Sequence, residues 1–177
     1  MDVALIVDGA NVMGSRADGW WRDRAGAMAR LHGELATLAA HGLTGPVPGA
    51  DAAPEPGNAP EPGSAGEASG AGIAAKAGSA GEAGAAGPAG ETAGGRWFPH
   101  IYLVVEGRAR AVLDLVGPAS RVQVVAARGE GHDEIAGLAG RLTGRRVVVT
   151  ADRELRRRCE SAGAAIAGPG WLIRQFS

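Results

Sequence analysis

Four acidic residues, Asp8, Glu106, Asp133 and Asp152, stand where the chain leaves an apolar run or enters a helix. Carboxylates gathered on one concave edge repel one another, and a hard divalent cation relieves that repulsion. Mg²⁺ and Mn²⁺ accept carboxylate oxygens and usually keep several waters. Such a centre can activate water and stabilise in-line attack on a phosphodiester. The candidate metal ligands are therefore Asp8, Asp133, Asp152 and Glu106. Asn11, three residues after Asp8, places a neutral amide beside the first acid, where it could hold a water or fix the Asp8 rotamer. Asp8, Asn11, Asp133 and Asp152 form the candidate catalytic set. Thr150 could bond a neighbouring carboxylate or cap the turn that follows it.

Each acid also has a plainer explanation. Asp8 could cap the segment after it. Asp133 could open a helix, with Glu134 beside it at the positive end of the dipole. Asp152 could cap the helix after it, and Glu106 could pair with Arg108 or Arg110. Taken singly, these are as good as the chemical reading. Jointly they are weaker, because three separate strand ends repeat one chemistry.

A basic and aromatic surface accompanies the acids. Arg153, Arg156, Arg157 and Arg158 follow Asp152 directly. Arg153 and Arg156 lie three apart and share a helical face near the acids, where they could hold an RNA backbone, whereas a solvated helix face is the plainer reading and the better one for Arg157 and Arg158. The segment 15–24 contains Arg16, Trp20, Trp21, Arg22 and Arg24. Adjacent tryptophans point in different directions, so either one packs and the other is exposed, or both cover the sheet edge and staple the first helix, which is the plainer reading. An exposed ring beside Arg16 and Arg22 could stack an unpaired base. Arg16, Trp20, Arg22, Arg153 and Arg156 are the candidate RNA contacts.

Elements must bring these residues together. Val3–Val7 is a continuous apolar run, the pattern of a strand buried on both faces. It stops at Asp8 and then at Gly9, a residue that lets the backbone turn sharply. Residues 23–41 read as a helix capped by Asp23, with Met28, Leu31, Leu35 and Leu38 on one face, and Gly42 ends it. Strands are expected at 100–105, 122–126, 146–149 and 164–167. Helices are expected at 108–115, 133–142 and 153–161, and from Gly170 onward. Alternating strands and helices imply βαβ units, a mostly parallel sheet and a three-layer αβα, Rossmann-like domain. In such sheets, ligands bind at the carboxyl ends of the strands.

Composition divides the 177 residues. Residues 44–95 are almost all Gly, Ala, Pro, Ser and Glu, with Val47 and Ile73 the only large aliphatic residues and no aromatic one. Such a segment cannot bury enough apolar surface to offset the entropy of ordering, so a disordered insert is expected. The folded part is then 1–43 with 96–177. The hexapeptide at 63–68 recurs at 78–83, which is low complexity without a collagen period. The insert should lie opposite the strand carboxyl ends. It holds six acids and Lys76, leaving 17 Arg against 13 acids outside it. The folded part is thus mildly basic beneath a whole-chain charge of −1. Arginine suits bidentate phosphate contacts, although a GC-rich genome also replaces Lys by Arg. The single cysteine, Cys159, excludes a disulfide framework or thiolate metal cluster. With neither a signal-peptide pattern nor a membrane-length apolar run, a cytoplasmic location is expected.

The motifs resemble those of the NYN domains, a branch of the PIN-like nuclease fold, and are nearest its bacterial YacP-like members. Val-Asp-Gly-Ala-Asn-Val-Met-Gly at 7–14 is similar to the family's opening motif. Residues 129–135 resemble its central acidic helix start, 148–155 its third motif, and 163–171 its closing strand and helix. The resemblance covers about 1–43 and 96–177. It implies a PIN-like fold and a metal-dependent endoribonuclease site using Mg²⁺ or Mn²⁺. Asp8, Asp133 and Asp152 would hold or orient the metal, with Asn11 supporting and Glu106 a looser correspondence. RNA is the expected partner, and a homodimer or a ribosome-associated substrate is compatible with it. His132 is a departure, since many relatives have a second acid there. It could ligate a metal, contact a phosphate, or leave the site short of negative charge.

Two other function classes compete. A non-catalytic RNA-binding module is motivated by His132 and the modest net charge. A small-nucleotide phosphohydrolase is disfavoured: Ala10 stands where an aspartyl-phosphate mechanism needs a second Asp, and no Walker-type loop is present.

Overall fold

The continuous apolar run at the N-terminus forms the middle of a sheet. In a computed structural model that describes residues 3–49, 95–114, 116–117 and 121–177, strand β1 (Val3–Asp8) is buried along its whole length. Its odd positions Val3, Leu5 and Val7 enter one apolar core, and Ile6 enters a second core. Burial on both faces explains why the run does not alternate.

Helix α1 (Gly9–Gly14) follows at once, and α2 (Arg24–His41) packs beside it. Met28, Leu31, Leu35 and Leu38 are the buried stripe of α2, and Asp23 accepts from the Gly26 N–H at 2.9 Å. Gly42 ends the helix with φ of 80°, a conformation that favours glycine. Two short antiparallel strands, β2 (Leu43–Thr44) and β3 (Arg96–Trp97), then pair. Strand β4 (His100–Val105), a 3₁₀ helix (Gly107–Asp114), β5 (Val122–Ala126), α3 (Gly131–Arg141), β6 (Arg145–Val149), α4 (Arg153–Ser161), β7 (Ala165–Ala167) and α5 (Pro169–Ile173) complete the order, with a last 3₁₀ turn at Arg174–Phe176.

The main sheet has the order β5-β4-β1-β6-β7, and every pairing is parallel. Helices α1, α2 and α5 cover the core of Leu5, Val7, Leu35 and Leu103. Helices α3 and α4 cover that of Ile6, Ile135, Val148 and Leu155. The result is the expected three-layer α/β architecture. Its strand order reverses direction at β1, where β4 lies on one side and β6 on the other. Ligands of open α/β sheets bind outside the strand carboxyl ends at such a switch point.

Some boundaries differ from the sequence expectation. Helix α1 replaces a simple turn. Gly9 has an ordinary φ, and its lack of a side chain answers to packing: a Cβ there would lie 2.8 Å from the Val104 carbonyl oxygen. Helix α3 begins two residues before Asp133, which puts Asp133 inside the first turn. Of the segment 44–95, Thr44 pairs with Arg96, and Val47 packs against the first core. Residues 50–94, where most of the expected insert falls, lie outside the described residues. Among the described residues, no helix is long and apolar enough to cross a membrane.

Candidate functional site

Asp8 ends β1 at the switch point and is only 4% exposed. Its carboxylate accepts three hydrogen bonds. The Asn11 backbone N–H donates to Oδ1 at 3.1 Å, which makes Asp8 the cap of α1. The Asn11 side-chain amide donates to Oδ2 at 2.6 Å, and the Thr150 hydroxyl donates to the same oxygen at 3.0 Å. The cap therefore occupies only part of the carboxylate. The cap engages one oxygen of the pair, while Asn11 and Thr150 lock the rotamer from two different elements.

Thr150 follows β6, the neighbour of β1, and is fully buried. Its hydroxyl also accepts from the Asp152 N–H at 3.2 Å, tying the two strand ends into one network. Asp152 caps α4 by accepting from the Leu155 N–H at 2.7 Å. That bond, with His132 and Arg157 nearby, holds its carboxyl below the usual carboxylate range. His132 reaches into the same space from the first turn of α3, its Nε2 4.0 Å from Asp8 Oδ2. The assembled group is thus Asp8, Asn11, Thr150, Asp152 and His132.

The other two acids are engaged elsewhere. Asp133 is exposed, and its Oδ1 accepts from Arg158 Nη2 at 2.8 Å. The reason is helical phase: with α3 starting at Gly131, residue 133 faces α4 while residue 132 faces Asp8. Glu106, after β4, accepts the Gly131 N–H at 2.7 Å. It supplies the α3 cap that Glu130, at the capping position, does not make. A Cβ on residue 131 would lie 2.8 Å from that oxygen, so glycine makes room for the carboxylate. Among the described residues, no group of three or more His, Cys, Asp or Glu side chains stands ready to hold a metal. Asp8 and Asp152 remain as two carboxylates on neighbouring strand ends. That donor set fits a Mg²⁺-type ion, which proteins commonly hold through one or two carboxylates with water and substrate phosphates filling the remainder.

The flanking surfaces also depart from expectation in part. Arg156 donates from Nε to the Thr150 carbonyl at 3.2 Å, which brings its guanidinium beside the network, and Arg153 is exposed at the start of α4. Arg16 is tied up internally: it pairs with Glu34 at 2.6 Å and lies over the Phe176 ring at 5.0 Å. Of the two tryptophans, Trp20 is the packed one and carries Arg24 over its ring at 5.4 Å. Trp21 is exposed, and Arg22 is exposed beside it. Sequence reasoning did not count Arg24 or Arg108 among the RNA contacts, yet they line one cavity with Trp21 and Arg22. Packing of Trp20 on the first core, which leaves Trp21 in solvent, is a tertiary fact.

Comparison with solved structures finds Rae1 (YacP) from Bacillus subtilis, in a crystal structure of a tryptophan-to-leucine mutant. The TM-score is 0.55 at 16% sequence identity, covering 99% of this chain and 75% of that one. The chain shares that fold. No family model matches the sequence, and no curated protein matches it.

Proposed function

We propose that this chain is a metal-dependent endoribonuclease of the NYN type, hydrolysing RNA phosphodiesters at the carboxyl ends of β1 and β6. The observation that carries this reading is the buried Asp8 carboxylate at the switch point, fixed by Asn11 and Thr150 and joined through Thr150 to Asp152. The fold shared with Rae1 (YacP) supports it, as do the motifs at 7–14 and 148–155.

Asp8 and Asp152 would hold Mg²⁺ or Mn²⁺. When bound, the cation supplies charge stabilisation to the phosphodiester and lowers the pKa of the attacking water. Asn11 and Thr150 keep the Asp8 carboxylate in one rotamer, so little reorganisation is left for the moment of reaction. Arg153 and Arg156 neutralise phosphates on the α4 side. His132, beside both acids, is placed to donate to a phosphate oxygen. Asp133 joins the site only if its pairing with Arg158 opens.

The test is cleavage of RNA with Mg²⁺ or Mn²⁺ by wild type and by Asp8→Asn, with thermal melts confirming that the variant folds. The expected outcome is a loss of at least about a hundredfold. Equal cleavage by both proteins would overturn the proposal. A non-catalytic RNA-binding module is the second reading, favoured by the engagement of Asp133 and Glu106 elsewhere. Mn²⁺ titration separates the two: the module binds RNA without a saturable metal site.

A further inference from the structure

The loop between α1 and α2 places a large aromatic ring in solvent on a turn closed by the loop's own hydrogen bonds. The Trp20 N–H donates to Asp18 Oδ1 at 3.2 Å and the Arg22 N–H to the Gly19 carbonyl at 3.1 Å. Gly19, with φ of 74°, supplies the left-handed conformation of the turn. Trp21 stands at the tip, 58% exposed, with its ring at 84° to that of Trp20 and 6.2 Å away. Trp20 in turn packs on the first core and supports Arg24. The exposed ring thus stands on a hydrogen-bonded turn with its neighbour Trp20 at its edge.

Trp21 lines a cavity of about 380 Å³ with Arg22, Arg24 and Arg108, the last reaching over from the 3₁₀ helix after β4. Asp23, which also lines it, is engaged in capping α2. Arg24 also lines a neighbouring cavity, together with Ala10, Trp20 and Glu106. Three arginines lining one cavity with an exposed indole suit one ligand chemistry: a base to stack and the phosphates on either side of it.

We propose that this cavity binds one unpaired nucleotide of an RNA strand, with its base on Trp21 and its phosphates on Arg22, Arg24 and Arg108. This rests on the nuclease reading and specifies its substrate as single-stranded RNA. A duplex keeps its bases stacked on each other and cannot offer one to Trp21.

The experiment is fluorescence anisotropy with a labelled oligouridylate and with a blunt RNA duplex of equal length, in EDTA, so that binding is read apart from cleavage. Wild type is expected to bind the single strand more tightly than the duplex. Trp21→Ala weakens the single-strand affinity about tenfold or more, Trp21→Phe restores most of it, and duplex affinity does not change. Arg108→Gln reduces the slope of log affinity against log salt by about 0.7. If wild type binds the single strand and Trp21→Ala binds it equally well, the nucleotide site is overturned while the nuclease proposal stands. If wild type prefers the duplex, or binds neither RNA at low salt, the inference also fails. Intact binding with no cleavage under any divalent metal overturns only the nuclease reading.

Discussion

Asp8 divides its two carboxylate oxygens between a helix cap and a side-chain network. Its Oδ1 caps α1, and its Oδ2 is held by Asn11 and Thr150. Thr150→Val leaves Oδ2 with one donor and the Asp152 N–H without its acceptor. Cleavage should fall about 10- to 100-fold, the usual effect of losing a group that orients a metal-binding residue. Stability should fall by about 1–3 kcal/mol, read from urea unfolding. His32 makes a separate residue-scale prediction. It is buried on α2, and burial pushes its pKa below the ordinary value of about 6.5. Above pH ~6.5 both folded and unfolded chains carry it neutral. As pH falls through that value the unfolded chain takes up the proton first, so the folded state loses stability toward its own lower pKa. His32→Gln should therefore flatten the fall in unfolding midpoint between about pH 6.5 and pH 5 relative to wild type. A buried Cys159 behaves consistently: burial pushes its thiol up, so it should react with a disulfide reagent only after denaturation.

Two glycines hold elements at the distances the site needs. Gly9 lets the start of α1 meet β4, where a Cβ would press on the Val104 carbonyl and on Met28. The carbonyl belongs to a central strand and cannot yield. Gly9→Ala should cost about 1–3 kcal/mol and tilt α1, lowering the thermal midpoint and moving Asn11 off Asp8. Gly131 plays the matching part for α3, admitting the Glu106 carboxylate to its first N–H. Glu106→Ala should destabilise the chain by about 0.5–2 kcal/mol through the lost cap. Faster amide exchange confined to the first turn of α3 would identify that cause. A metal-ligand role for Glu106 instead predicts weaker Mn²⁺ binding with little change in exchange.

Across the whole molecule, the antiparallel pairing of Leu43 with Trp97 and Thr44 with Arg96 sets side by side two strands that flank the 50–94 segment in sequence. A short Gly-Ser linker can therefore replace that segment. The prediction is an unfolding free energy unchanged or raised by about 1 kcal/mol, since each halving of loop length returns roughly 0.6 kcal/mol of closure entropy. Removing six acids and one Lys also changes the net charge from −1 to +4, which should tighten RNA binding at low salt. Much of the fold was legible in the sequence. The buried strand at 3–7, the stripe of Met28, Leu31, Leu35 and Leu38, and the alternation of strands and helices depend on local hydrophobic period, which the chain carries everywhere. The positions of Asp8, Asn11 and Asp152 at strand ends were legible for the same reason. Helix phase was not: a two-residue difference in the start of α3 turns Asp133 toward Arg158 and His132 toward Asp8. Nor was the choice between Trp20 and Trp21, or the capture of Arg16 by Glu34 and Phe176. Residue type and spacing thus determined which groups reach the sheet edge. Only tertiary packing, which sets helix rotation and assigns each charge its partner across distant segments, decided which of them meet.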